Sequence, residues 1–239
     1  MSSVTHERLL PSKTLDVDAL VFDMDGLLLN TETLANRALH LAAAELGLDM
    51  PQSFCFQMIG VPADGCRRLL RERFGPDVAA DRFFALAGEH QMSQMDRGLL
   101  ELRPGVLVLL DYLDAHGVAR AVATSSAGHK AQHHLTAAGI IDRFDVIVTR
   151  DDVARGKPYP DLFLHAASLL GVPPTRCLAL EDSHNGVRAA HAAAMPVIMV
   201  PDLLPATAEM HEKCYAVLPS LDGVVDLLLR GLPPERNLP

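Results

Sequence analysis

Four apolar residues, Ala19 to Phe22, run directly into Asp23-Met24-Asp25-Gly26. A short run with no polar residue alternating in it reads as a strand buried on both faces, as in a parallel sheet covered by helices. Its two acids must then emerge at the carboxyl end of the strand, where open parallel sheets keep their ligand crevices. From about 34 to 102 no comparable strand follows. That block reads as helices over Leu34 to Leu46, Asp64 to Phe74 and Asp77 to about Met95, the first two stopped by Gly47 and Gly75. Beyond Arg103-Pro104-Gly105 helix and strand alternate. The strands fall at Val118 to Ala123, Val146 to Thr149, Cys177 to Leu180, Val197 to Val200 and, weakly, Ala216 to Leu218. The helices between them run over Val106 to His116, Ala127 to Ala138, Asp161 to Leu170 and Asn185 to Ala194. This order predicts a doubly wound α/β fold with a parallel sheet, residues 1–33 and 103–239 forming the core domain and residues 34–102 a helical insertion after the first strand.

Composition narrows the function. A chain of 239 residues with 49% hydrophobic and 21% charged residues can bury a core and is neither disordered nor a coiled coil. Thirty acidic against 21 basic residues, a formal charge of −9, exclude a polybasic nucleic-acid or membrane binder. The longest apolar run, Ala192 to Val200, contains Pro196 and is far short of the roughly 20 residues that span a bilayer. The first residues, MSSVTHERLLPSK, lack the pattern of an export leader, so a cytoplasmic address is expected, with no membrane and no nucleic-acid partner. Cys55, Cys66, Cys177 and Cys214 have neither zinc nor disulfide-framework spacing and are expected to be reduced and mostly buried.

The residues just past each predicted strand are the chemically rich ones. Asp23 and Asp25 follow the first strand, Thr124-Ser125-Ser126 the second, Lys157-Pro158 lies in the next unit, and Glu181-Asp182-Ser183 follows Cys177 to Leu180. D-x-D-G alone is a weak signal. Joined in this order to T-S-S, G-K-P-x-P-D and E-D-S-x-x-G it is specific, and the chain resembles the haloacid dehalogenase-like hydrolase superfamily over nearly its whole length. The nearest likeness within it is to the sugar-phosphate phosphatases, pseudouridine 5′-phosphatase and β-phosphoglucomutase. The helical block matches that family's mobile cap.

The resemblance implies a Mg²⁺-dependent phosphatase acting on a small phosphorylated metabolite, a sugar phosphate or nucleoside monophosphate. Asp23 is the implied nucleophile, becoming an aspartyl phosphate, and also a metal ligand. Asp25 is the implied acid and base, its backbone carbonyl a further ligand, and Asp182 completes the set. Elementary chemistry makes similar demands. A phosphate ester repels an attacking carboxylate, so cations must neutralise the transferring group. Lys157 and a metal supply them, and clustered carboxylates make the hard oxygen site that suits Mg²⁺. Thr124, with backbone N–H groups of Met24, Asp25 and Ser125, is expected to hold the phosphoryl oxygens, with Ser126 a further contact and Gly26 allowing the tight turn. Glu181 is either a metal ligand or an orienting neighbour.

Blander roles are open to several residues. Ser183 or Ser125 suits a helix cap. His129, His133 and His134 have no evident acidic partner and read as solvated or packed helix residues, and Met92 and Met95 as cap packing. Candidates for choosing the leaving group are Glu32, Asn36, His40, Gln57, Met58-Ile59-Gly60-Val61 and Arg67 or Arg68 on the cap. A phosphomutase is the main alternative, but the histidine and arginine of β-phosphoglucomutases fall here at Ala35 and Ala63. Dehalogenase relatives lack the second motif aspartate, present here as Asp25. A phosphoacceptor signalling domain would store its acyl phosphate, and a silent sugar-phosphate binder would have lost a motif residue. A monomer or weak homodimer is expected.

Overall fold

The computed structural model describes residues 16–59, 61 and 63–231. Its strands are β1 (Ala19–Phe22), β2 (Ala119–Ala123), β3 (Val146–Val148), β4 (Cys177–Glu181), β5 (Val197–Met199) and β6 (Ala216–Val217), all parallel in the order β3-β2-β1-β4-β5-β6. The helices after β1 are α1 (Thr31–Glu45), α2 (Gln52–Gln57), α3 (Ala63–Phe74) and α4 (Ala80–Asp96). Those of the core are α5 (Val106–Ala115), α6 (Gly128–Ala137), α7 (Asp161–Leu170), α8 (His184–Ala192), α9 (Ala208–Lys213) and α10 (Asp222–Gly231). This is the doubly wound parallel fold with an inserted helical cap.

Side chains alternate across the pleat, so each strand feeds two cores. Leu20, Phe22, Val122, Leu178, Leu180 and Ile198 pack with α5, α6 and α10 on one face. Ala19, Val21, Ala121, Ala179, Val197 and Met199 pack with α7, α8 and α9 on the other. Every residue of β1 is fully buried, and burial of its Leu, Val and Phe side chains is worth about 1.5–3 kcal/mol each. The helices that follow β2 and β4 lie on opposite faces, which puts the topological switch, and hence the crevice, at the carboxyl ends of β1 and β4.

The cap has its own core, in which Phe54, Leu70, Phe83 and Leu86 are buried and Phe54 meets Phe74 edge-on at 5.7 Å. It joins the sheet domain through two segments that pair with each other. Leu29 bridges Leu102, Asn30 N donates to Glu101 O (3.1 Å), and Arg103 N donates to Leu28 O (2.9 Å). The Asn30 side chain stitches this ribbon by accepting from Glu101 N (2.9 Å) and donating to Leu99 O (3.2 Å).

Several elements depart from the sequence reading. Helix α1 starts at Thr31, three residues before Leu34, and α4 starts at Ala80 instead of Asp77. Helices α2 and α9 are six residues long, too short to display a period. Helix α10 carried the signal in Val224, Leu227 and Leu228, spaced i, i+3, i+4 and buried. Met95 is buried, but Met92 is 46% exposed and does not pack the cap as expected. The four cysteines are free thiols, Cys214 half-buried and the others buried. Among the described residues no helix is long and apolar enough to cross a membrane.

Candidate active site

Parallel pairing of β1 with β4 sets Phe22 beside Leu180, and Asp23 N donates to Leu180 O (2.9 Å). The register therefore delivers Asp23 beside Glu181 and Asp182, all three buried. The Lys157 ammonium, 5% exposed, lies between Asp23 Oδ1 and Glu181 Oε1 and pairs with both. Burial alone would lower the Lys157 pKa, but the two carboxylates overcome it and hold the amine charged. The other Glu181 oxygen accepts from Asp182 N (3.2 Å), Ser183 N (3.2 Å) and Ser183 Oγ (3.0 Å). Ser183 also caps α8 by accepting from Gly186 N (3.1 Å), so its capping and site roles are one arrangement. Helix α8 comes so close that a Cβ on Gly186 would stand 1.8 Å from Glu181 Oε1.

Oxygens of Asp23, Glu181 and Asp182 lie within 4.8 Å of one another, a group that could hold a metal ion. Three carboxylates face one ammonium here, and the excess negative charge is buried. Burial, then repulsion from neighbouring acids, pushes both Asp23 and Asp182 well above the usual carboxylate range, against the pull of Lys157. A divalent cation would relieve that cost, and an all-oxygen set without thiolate or imidazole fits a hard one. With both Glu181 oxygens engaged by donors, Asp23 and Asp182 are the carboxylates left to face it. Gly26 makes room: its φ is +88°, and a Cβ there would fall 2.4 Å from Asp182 Oδ2.

Asp25 stands on the other side of Gly26's turn, with both oxygens occupied. Oδ1 accepts from Thr31 Oγ1 (2.7 Å), and Oδ2 accepts from Ser126 Oγ (2.7 Å) and Thr124 Oγ1 (3.3 Å). Thr124 is fully buried, its Oγ1 also accepting from Ser126 N (3.0 Å). Its hydroxyl thus backs Asp25, and Ser126 is an Asp25 partner. Ser125 is exposed and lines the cavity, while the Met24 side chain is buried in the core. Thr31, the first residue of the cap helix, was missed by the sequence reading, which began that helix three residues later.

His134 is the packed one of the three histidines, but it has an acidic neighbour that the sequence did not reveal. It is buried on α6 and lines the cavity, its Nδ1 lying 3.9 Å from Asp25 Oδ1, whereas His129 and His133 are exposed. Burial lowers its pKa, with Asp25 pulling the other way. The signal was present: His134 sits beside Leu135 and three residues after Ala131, both buried, so it belongs to the inward face.

A cavity of about 730 Å³ opens above these groups, walled on one side by the cap. Of the proposed cap residues, Glu32, Ile59 and Val61 line it. Burial, then Asp25 and Asp202, push the Glu32 carboxyl up to about 7. Asn36 and Met58 line a smaller adjoining pocket. His40 is instead bonded to Gln52 (2.9 Å), Gln57 is exposed, Arg67 pairs with Asp81 (2.7 Å) and Arg68 with Glu72 (3.9 Å). Gly60 lies outside the described residues. The sequence reading also missed Asp202, paired with Arg103 at 2.9 Å where the chain returns from the cap.

Residues 20–200 match the family model described as haloacid dehalogenase-like hydrolase. A protein of Bacillus subtilis (strain 168) named as a candidate phosphatase, YhcW, is 38% identical over 80% of this chain and 86% of its own. The phosphorylated carbohydrates phosphatase of Thermotoga maritima is 30% identical over 90% of this chain and 92% of its own. Among solved structures, a variant of CbbY from Rhodobacter sphaeroides bound to xylulose 1,5-bisphosphate superposes with a TM-score of 0.69 at 30% identity, over 86% of this chain and 95% of that one.

Proposed function

Since this chain belongs to the haloacid dehalogenase-like hydrolases and is a phosphatase of that family, we propose that it hydrolyses a sugar phosphate or nucleoside monophosphate through an aspartyl phosphate on Asp23. The observation that carries the reading is the buried Asp23 carboxylate, paired with Lys157 and grouped with Asp182, at the floor of a cavity large enough for a small metabolite. Mg²⁺, when bound by Asp23, Asp182 and the Asp25 carbonyl, neutralises charge on the transferring phosphoryl group. Asp23 attacks phosphorus and the alcohol leaves with a proton from Asp25. Asp25 then takes a proton from the water that cleaves the acyl phosphate, one side chain serving both halves. Lys157 holds Asp23 and meets the phosphoryl oxygens, Glu181 orients Lys157, and Ser125 with neighbouring backbone N–H groups receives the remaining oxygens. In this reading residues 34–102 act as a cap over a core of 1–33 and 103–239, excluding bulk water and selecting the leaving group.

Phosphate release from a panel of sugar phosphates and nucleoside monophosphates tests this, with Mg²⁺ and again in excess chelator. Release from at least one member, lost on chelation, is expected; release from none refutes the reading, and release undiminished by chelator refutes its metal dependence. A mutase reading has one observation in its favour, the Thr31–Asp25 bond, because a mutase must couple cap position to the acid. Against it, the cavity wall carries Ala35 where β-phosphoglucomutases place a histidine. With β-glucose 1-phosphate and catalytic 1,6-bisphosphate, phosphate release is expected to outrun isomerisation.

A further inference from the structure

We propose that His134 is a positioning residue for Asp25, receiving its carboxylate when that side chain leaves the Thr31 hydroxyl to serve the leaving group. The proposal rests on the phosphatase reading and deepens it. The Asp25 carboxylate is held by three hydroxyls, one of them on the first residue of the cap helix. A proton donor to a leaving oxygen cannot stay in that cradle, because there both Asp25 oxygens are occupied by hydroxyl donors and one must be freed to carry the proton. If α1 moves with the cap, the Thr31 donor goes with it. The only imidazole near that oxygen among the described residues belongs to His134, 3.9 Å from it and facing the same cavity.

Two features show that this nitrogen is built to be aimed there. Its Nδ1 is buried and makes no hydrogen bond, an expensive condition for a polar atom unless another arrangement of the site satisfies it. The face of α6 that carries the ring is fixed, since Ala131 and Leu135 on the same side are locked into the core. A carboxylate movement of about 1 Å closes the gap to a normal hydrogen bond. The neutral imidazole with its proton on Nδ1 donates that bond, so no change in charge is needed.

The test is kcat/KM, which reports the step in which the leaving group departs, for wild type, His134→Leu and His134→Asn. Substrates are 2,4-dinitrophenyl phosphate, phenyl phosphate and the best sugar phosphate of the panel. His134→Leu is expected to lose about 10-fold or more on phenyl and sugar phosphates, within the range of general acid catalysis, and under about 3-fold on the dinitrophenyl ester, whose leaving group needs no proton. His134→Asn, which keeps a donor close to the place of Nδ1, is expected to recover most of the loss. An equal loss on all three esters, or none, overturns the proposal while leaving the phosphatase reading intact. A wild type that cleaves none of them overturns both. Should His134→Leu not fold, His134→Asn and His134→Gln are compared on the same esters, with the loss on phenyl phosphate expected to be larger for Gln; equal values overturn the proposal.

Discussion

Gly186→Ala sets two effects of opposite sign against each other. Position 186 lies in the first turn of α8, where helix propensity favours alanine over glycine by about 1 kcal/mol. The added Cβ, however, would stand 1.8–2.1 Å from the Glu181 carboxyl atoms, which must retreat by about 1.5 Å to reach van der Waals contact. Glu181 has no exposed surface and holds the Lys157 ammonium, so the retreat disrupts a buried ion pair, a change that costs about 3–5 kcal/mol. The clash wins by about 2–4 kcal/mol, and in a chain of this size Tm falls by about 5–15 °C. Gly88→Ala is the control: an exposed glycine in α4 whose Cβ would meet nothing within 4 Å, it is expected to raise Tm by about 2–4 °C. Thermal unfolding by circular dichroism reads both. Phosphate release from Gly186→Ala should fall about 100-fold through misplacement of Lys157. A Tm for Gly186→Ala at or above wild type would refute the reasoning, since propensity would then have prevailed and α8 would have room to spare.

Other outcomes follow from the same geometry. Asp23→Asn should fold, show no turnover and form no acid-stable, hydroxylamine-labile phosphoenzyme, because an amide cannot attack phosphorus; turnover within tenfold of wild type removes Asp23 from the nucleophile role. Ca²⁺ should replace Mg²⁺ poorly in the phosphate-release assay, since the larger ion gathers more oxygens and can hold both those of Asp23; equal rates would count against Asp23 as a metal ligand that also attacks. Hydrogen bonds from the Thr149 side chain and backbone hold the Asp152 pKa below the ordinary carboxylate value. Its stabilising contribution is therefore full above the unfolded value of about 4 and fades as pH falls through the folded one. Asp152→Asn should unfold at lower temperature than wild type near neutral pH, the gap closing in acid; a gap that stays constant with pH would mean that the charge plays no part.

The clustered carboxylates were legible because their places depend on the backbone alone. Asp23 and Asp182 each lie just past the end of a buried strand, and the pairing of β1 with β4 needs no side-chain detail to bring them together. Gly186 was legible only as a letter of E-D-S-x-x-G; that it exists to admit Glu181 appears once α8 is seen against β4. His134 was hidden by its company, since three histidines within six residues look alike until the buried neighbours Ala131 and Leu135 pick out the inward one. The cap residues resisted for a different reason. His40, Arg67 and Arg68 found partners within the cap itself, Gln52 and Asp81 on neighbouring helices and Glu72 one turn along α3, and such local pairings cannot be told from ligand contacts by residue type.

The central place of β1 bears on how the chain acquires its structure. Ala19 pairs with Ala119 on one side and Cys177 on the other, so neither edge of that strand is covered until long stretches of chain have been made. Pairings of such sequence separation are slow, because loop closure precedes the contacts that reward it. Helices α1 to α4, by contrast, find their partners within one continuous segment and can mature while the rest of the polypeptide is still being synthesised. An apolar strand that leads into the site thus waits unpaired through most of translation, and the acidic tetrad Asp23-Met24-Asp25-Gly26 that closes it supplies the charge that discourages its association with other chains in the interval.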